Sequence, residues 1–71
     1  MNLKQLEAYL WVAKLGSFSK TADRLYTTQP AISSRITNLE EELRTKLFYR
    51  EAGLVRLTPD GQALMPMAED A

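Results

Sequence analysis

Residues 17–43 read SFSKTADRLYTTQPAISSRITNLEEEL, and the spacing of apolar and capping residues in this stretch decides the fold. Phe18, Ala22 and Leu25 recur at intervals of four and three, one face of a helix about two turns long from Phe18 to Leu25. Ser17 or Ser19 can accept hydrogen bonds from its free N–H groups. Tyr26, Thr27 and Thr28 then break the pattern. Thr28 supplies a second N-cap, and Pro30 falls in the first turn that follows, where a missing N–H costs nothing. Beyond it Ile32, Ile36, Leu39 and Leu43 repeat at four, three and four, a continuous apolar stripe about three turns long. Ala22 is small where the two helices must cross, and Leu25, Ile32 and Ile36 fill the angle between them. A short helix, a tight turn and a longer capped helix make a helix-turn-helix.

Upstream, Leu3, Leu6, Leu10 and Ala13 share helical spacing with Tyr9 beside them, predicting a helix over Leu3–Leu15 that Gly16 ends. Downstream, Phe48-Tyr49-Arg50 and Val55-Arg56-Leu57 are aromatic or β-branched runs flanking Glu51-Ala52-Gly53-Leu54, a hairpin with a small tip. Thr58, Pro59 and Asp60 supply a cap, a first-position proline and a first-turn acid, so a fourth helix starts there and runs toward Ala71. Pro66 removes one of its backbone hydrogen bonds, at about 3 kcal/mol in a regular helix, which predicts a kink or fraying. Met65, Met67 and Ala68 have little left in the chain to pack against, so the natural protein is expected to continue. The predicted class is mainly α with a small β-hairpin: a winged helix-turn-helix of three core helices, a two-stranded wing and the start of a C-terminal helix.

Seventy-one residues allow a single domain with a modest core. With neither Cys nor His, disulfides and the usual zinc-ligand sets cannot be assembled, and nucleophilic catalysis lacks its customary base. An enzyme is therefore not expected. The longest apolar run, Ala8 to Ala13, is six residues, too short to span a bilayer or to form a signal-peptide core. The chain reads as soluble and not exported, hence cytoplasmic.

Nine Lys or Arg balance nine Asp or Glu, a neutrality that looks wrong for a nucleic-acid binder until it is divided by element. Lys14, Lys20, Arg24 and Arg35 against Asp23 leave +3 over residues 14–37, and Arg44, Lys46, Arg50 and Arg56 against Glu51 leave +3 over 43–57. The compensating acids, Glu40, Glu41 and Glu42, then Asp60, Glu69 and Asp70, fall outside those two blocks. The basic blocks coincide with the helix-turn-helix and the wing. The three consecutive glutamates read as a solvated face, with no partner ligands or base for catalysis or cation binding.

On a wheel of 100° per residue, the side of the third helix opposite its stripe holds Pro30, Ser34 and Thr37, with Ser33 and Asn38 at the margins. Short, uncharged, hydrogen-bonding side chains let a helix lie close to base edges in the major groove, which admits one helix.

Several of these residues together resemble a known family. Ala22, Leu25, Gln29-Pro30-Ala31-Ile32-Ser33, Ile36, Leu39-Glu40, Leu43, Leu47-Phe48, Arg50, Leu57-Thr58 and Gly61 fall at the spacing of the N-terminal DNA-binding domain of LysR-type transcriptional regulators. The resemblance covers nearly the whole chain. It implies a bacterial regulator whose residues 1–58 form the DNA-binding domain and whose residues 59–71 begin a linker and dimerisation helix. The family adds a larger effector-binding domain, so a small-molecule effector is expected there and no cofactor is expected in this domain. Double-stranded promoter or operator DNA is the implied partner, with the full-length protein a homodimer or tetramer and no membrane involved.

Carried over by position, Gln29, Pro30 and Ser33 match family residues that touch the major groove, with Ser34 and Thr37 on the same face. Thr28, Lys20, Arg35, Arg50 and Arg56 are the candidates for the DNA backbone. The family often has Arg at the position of Ser34 and at the wing tip, where this chain has Ala52-Gly53-Leu54. Trp11, Leu15, Leu64, Met67 and Ala68 are the candidate dimer contacts. Trp11 has two readings, packing on this chain's own fourth helix or on a partner's. A protein–protein module without DNA binding is the competing function, and the neutral net charge is in its favour.

Overall fold

Helix α1 spans Leu3–Leu15, α2 Phe18–Arg24 and α3 Gln29–Leu43; strands β1 (Phe48–Glu51) and β2 (Leu54–Leu57) follow, and α4 covers Pro59–Asp70. This computed structural model describes residues 1–51 and 54–70, so the hairpin-tip residues Ala52 and Gly53 lie outside the described residues, as does Ala71.

Each helix starts where its capping chemistry is best. Asn2 and Gln5 form a capping box at α1, with Asn2 Oδ1 accepting from the Gln5 N–H at 2.8 Å and Gln5 Oε1 accepting from the Asn2 N–H at 3.0 Å. Gly16 ends α1 at φ 64°, a left-handed conformation that suits glycine. Of the two serines, Ser17 caps α2, its Oγ accepting from the Lys20 N–H at 3.1 Å. Thr28 Oγ1 caps α3 through the Ala31 N–H at 3.2 Å, with Pro30 in the first turn as expected.

The face that α1 buries is not the one its leucines predict. Gln5, Ala8, Tyr9 and Val12 point into the core, Leu6, Leu10 and Ala13 are half-buried, and Leu3 is 74% exposed. The helix is turned so that Tyr9 reaches both the wing and α4. Its ring packs against Phe48 at 5.6 Å between centroids, and its hydroxyl donates to the Gly61 carbonyl. Helix α3 keeps its predicted stripe through Ile32, Ile36 and Leu39, all fully buried. At its last turn the pattern shifts. Leu43 is partly exposed, and Glu40 is buried beside the stripe.

The two strands pair antiparallel, Phe48 with Leu57, Tyr49 with Arg56, Arg50 with Val55 and Glu51 with Leu54. Side chains alternate across a strand, so Phe48, Arg50, Val55 and Leu57 share the face that includes the buried Phe48, while Tyr49, Glu51, Leu54 and Arg56 share the other. The root of the hairpin is closed by Thr58. Its N–H donates to the Leu47 carbonyl at 3.0 Å, and its hydroxyl donates to the Lys46 carbonyl at 2.5 Å while accepting from the Gly61 N–H at 2.9 Å. Gly61 passes so close beneath that a Cβ there would lie 2.2 Å from the Leu47 oxygen.

Helix α4 is continuous through Pro66 to Asp70, so the fraying expected at the proline is absent among the described residues. Leu64 and Ala68 flank it and are buried in the core, which holds the backbone helical on both sides. Ala68 therefore has a packing partner within the chain, contrary to the sequence expectation, and Met65 packs at the core margin. Met67 alone of the three stands free, 66% exposed.

Candidate nucleic-acid interface

The short connection over residues 25–28 and the packing of α2 against α3 put the start of α3 at the surface, backed by its own buried stripe. Gln29, Pro30 and Ser34 are exposed, while Ser33 and Thr37 are half-buried, so the five base-contact candidates share one accessible region. Thr28, the cap, is exposed at its head. Gln29, Ser33, Thr37 and Glu40 lie within about 80° of one another around the axis, along the flank that runs toward the wing. Arg35 lies about 160° around the helix from Ser33, half-buried on the opposite flank, so it does not join them.

The wing closes one side of this region. A cleft of about 320 Å³ is lined by Ser17, Ser19, Gln29 and Arg50 together with Phe18 and the first residues of β2. It brings the first residue of α3 to the same hollow as a wing arginine. A neighbouring cleft, also lined by Arg50, reaches Thr37 and Glu40. Arg50 is thus shared by both hollows. Its guanidinium lies over the Phe18 ring at 4.4 Å and faces Glu40 Oε1 at 3.8 Å.

Arg56 goes elsewhere. The strand register places it opposite Tyr49, on the other face of the hairpin from Arg50, where it lines a hollow with Tyr49, Glu51 and Leu54. The two wing candidates for the DNA backbone therefore lie on opposite faces of the hairpin. In a two-stranded antiparallel pair, residues 50 and 56 differ by one from a matched pair, so parity alone could have separated them. Lys20 is exposed in the first turn of α2.

The sequence reading missed Glu40. The expected solvated run of three glutamates is exposed at Glu41 and Glu42, but Glu40 is 5% exposed. Its Oε2 accepts the backbone N–H of Leu47 at 2.8 Å and of Phe48 at 3.4 Å, which fixes the base of the wing to α3. The signal was its position on the flank of Gln29 and Ser33 rather than on the far side. Phe18, expected only as core, doubles as the platform under Arg50.

Two candidate dimer contacts lie in this chain's own core. Leu64 and Ala68 are consumed by this chain's own core, because their spacing points them at α1. Leu15, at 36%, and Met67 remain accessible. Trp11 is half-buried, with the guanidinium of Arg24 over its ring at 4.4 Å and the Lys14 ammonium at 5.4 Å, so cations of α1 and α2 cover it in addition to anything α4 supplies. Among the described residues no group of three or more acids could hold a metal ion, and no helix is long and apolar enough to cross a membrane.

Residues 3–62 match the family model described as "Bacterial regulatory helix-turn-helix protein, lysR family". The chain belongs to the LysR family. Among curated relatives of this LysR-family chain, an uncharacterized HTH-type transcriptional regulator of Azotobacter vinelandii, in the ibpB-leuC intergenic region, is 50% identical over 68 residues. That alignment covers 96% of this chain but 47% of the relative, so the chain spans about half of that protein's length. Among solved structures, the CbnR_DBD-DNA complex superposes with a TM-score of 0.95 at 31% identity, covering 99% of this chain and 80% of that one. The BenM_DBD/catB site 1 DNA complex gives 0.93 at 38% identity, covering 99% and 78%. The winged helix-turn-helix of the LysR family is therefore the fold of this chain.

Proposed function

We propose that this chain is the sequence-specific, double-stranded DNA-binding domain of a bacterial transcriptional regulator, acting in the cytoplasm and catalysing no reaction. The observation that carries it is the row Gln29, Pro30 and Ser34, exposed and uncharged at the start of a helix whose other side is core. Helix α3 enters the major groove. Gln29, Pro30, Ser33, Ser34 and Thr37 face base edges, and Thr28, Lys20 and Arg50 hold the adjacent backbone. Arg56, on the outer wing face, and Arg35, on the far flank of α3, contribute to backbone attraction at longer range. Two relatives of the same fold were solved on DNA, which supports the reading.

Residues 59–71 serve as the beginning of a linker helix that pairs two copies in the whole regulator, a dimer or a tetramer. Its effector binds on a domain beyond this chain. Twofold symmetry then sets two half-sites separated by the helical repeat.

A salt series on duplexes selected from a random-sequence pool tests the reading. Binding should weaken linearly on a log–log plot as phosphate neutralisation is screened. Ser33→Glu should erase the preference for the selected site over random duplex. Absent binding at every salt concentration, or a flat response, overturns the proposal.

A further inference from the structure

Glu40 is the one charged side chain buried among the described residues, and its two oxygens have different neighbours. Oε2 receives the N–H groups of Leu47 and Phe48. Oε1 faces Arg50 Nη2 at 3.8 Å and Lys46 Nζ at 4.0 Å. Those separations give electrostatic attraction without a well-formed hydrogen bond. Arg50 is therefore held, on the Phe18 ring and beside a carboxylate, but it is not locked. Its side chain remains 39% exposed and lines the cleft that contains Gln29 at the start of α3.

A phosphate oxygen in that cleft would offer the guanidinium what Glu40 does not, a short charge-assisted hydrogen bond. Glu40 would not be orphaned by the exchange. Its Oε2 keeps both backbone donors, and Lys46 stays beside Oε1.

We propose that Glu40 is an internal stand-in for DNA phosphate, holding Arg50 against Phe18 in the free domain and yielding the guanidinium to the duplex backbone on docking. This rests on the DNA-binding reading above. The consequence is a handicap on indiscriminate binding: each encounter with DNA must displace an existing ion pair before Arg50 contributes. Glu40 is thus a positioning residue that acts on DNA through Arg50.

Glu40→Gln isolates the effect. The amide oxygen can replace Oε2 toward Leu47 and Phe48, whereas its NH₂ group meets the two cations and no longer holds Arg50. Binding of the 71-residue chain to random-sequence duplex should then tighten severalfold at every salt concentration with the log–log slope little changed, because Arg50 neutralises one phosphate in both forms but no longer has an ion pair to leave. Glu41→Gln removes the same charge from an exposed neighbour and should give no comparable gain. Adding Arg50→Ala to Glu40→Gln should cancel the gain. Unchanged or weaker affinity of a folded Glu40→Gln variant overturns the proposal while leaving the DNA reading intact, and failure of the unmodified chain to bind DNA overturns both.

If Glu40→Gln does not fold, side-chain nitrogen NMR of the unmodified chain decides. The Arg50 guanidinium should rotate slowly in the free protein and shift when short random-sequence duplex is added. Signals indifferent to DNA overturn the exchange.

Discussion

The two ends of α3 solve opposite problems with the same helical geometry. Its first two turns leave short neutral side chains at the surface, and among the described residues the side-chain hydrogen bond there is that of the cap Thr28. Its last turn buries a carboxylate and spends it on the backbone of the next element. The difference separates a surface that can be changed at small cost in folding from a junction that cannot. Around that junction Leu47, Phe48, Thr58, Gly61 and Tyr9 converge, so stability concentrates away from the exposed start of α3.

The sharpest way to break this contrast is at Gly61. A methyl group there meets the Leu47 carbonyl, a backbone atom with no freedom to move aside, so Gly61→Ala should lower stability by about 3 kcal/mol. Urea unfolding followed by far-UV circular dichroism measures it. An unshifted midpoint would show that the junction is loose and the contrast misplaced.

A smaller effect separates the junction by pH. Burial, reinforced by the nearby Glu69 carboxylate, pushes the Tyr9 phenol from its ordinary 10.0 up to about 12. The unfolded phenol ionises first, so stability attributable to Tyr9 is intact below pH 10 and is lost as pH rises from 10 toward 12. The loss is about 1.4 kcal/mol per pH unit within that window. Tyr9→Phe should be less stable than the unmodified chain at pH 8 and should approach it by pH 11. A constant gap between the two across that range would mean the phenol is not shielded.

The smallest effect belongs to the reading end. Ser34→Ala should change stability by no more than about 0.5 kcal/mol while altering the order of preferred duplexes in a competition assay. A melting temperature lowered by many degrees would reveal a structural role for that face.

Much of this architecture was legible because α3 carries three consistent signals at once: the Thr28 cap, Pro30 in the first turn, and isoleucines and leucine at helical spacing. The wing was legible from its aromatic and β-branched runs. Helix α1 was legible in extent but not in orientation. Leucine hydrophobicity favours Leu3, Leu6 and Leu10, yet what fits against α3 and the wing is the small Ala8, Val12 and the one side chain able to reach Gly61. Glu40 was hidden for a related reason. Its partners are backbone N–H groups seven and eight residues away, which have no signature in the identity of Leu47 or Phe48. Leu64 and Ala68 looked available for a partner because tertiary packing across the chain ends is invisible to local periodicity.

Thr58 closes the hairpin with three hydrogen bonds at its root, two to the residues that enter the wing and one to the helix that leaves it. A loop cinched at its base insulates the rest of the molecule from what happens at its far end. Lengthening such a loop is thermodynamically inexpensive, about 0.6 kcal/mol for each doubling. The wing is therefore an exchangeable cassette: tips of other lengths and charges can be grafted between Glu51 and Leu54 without redesigning the core, which makes it the natural place to diversify where this scaffold reaches along a duplex.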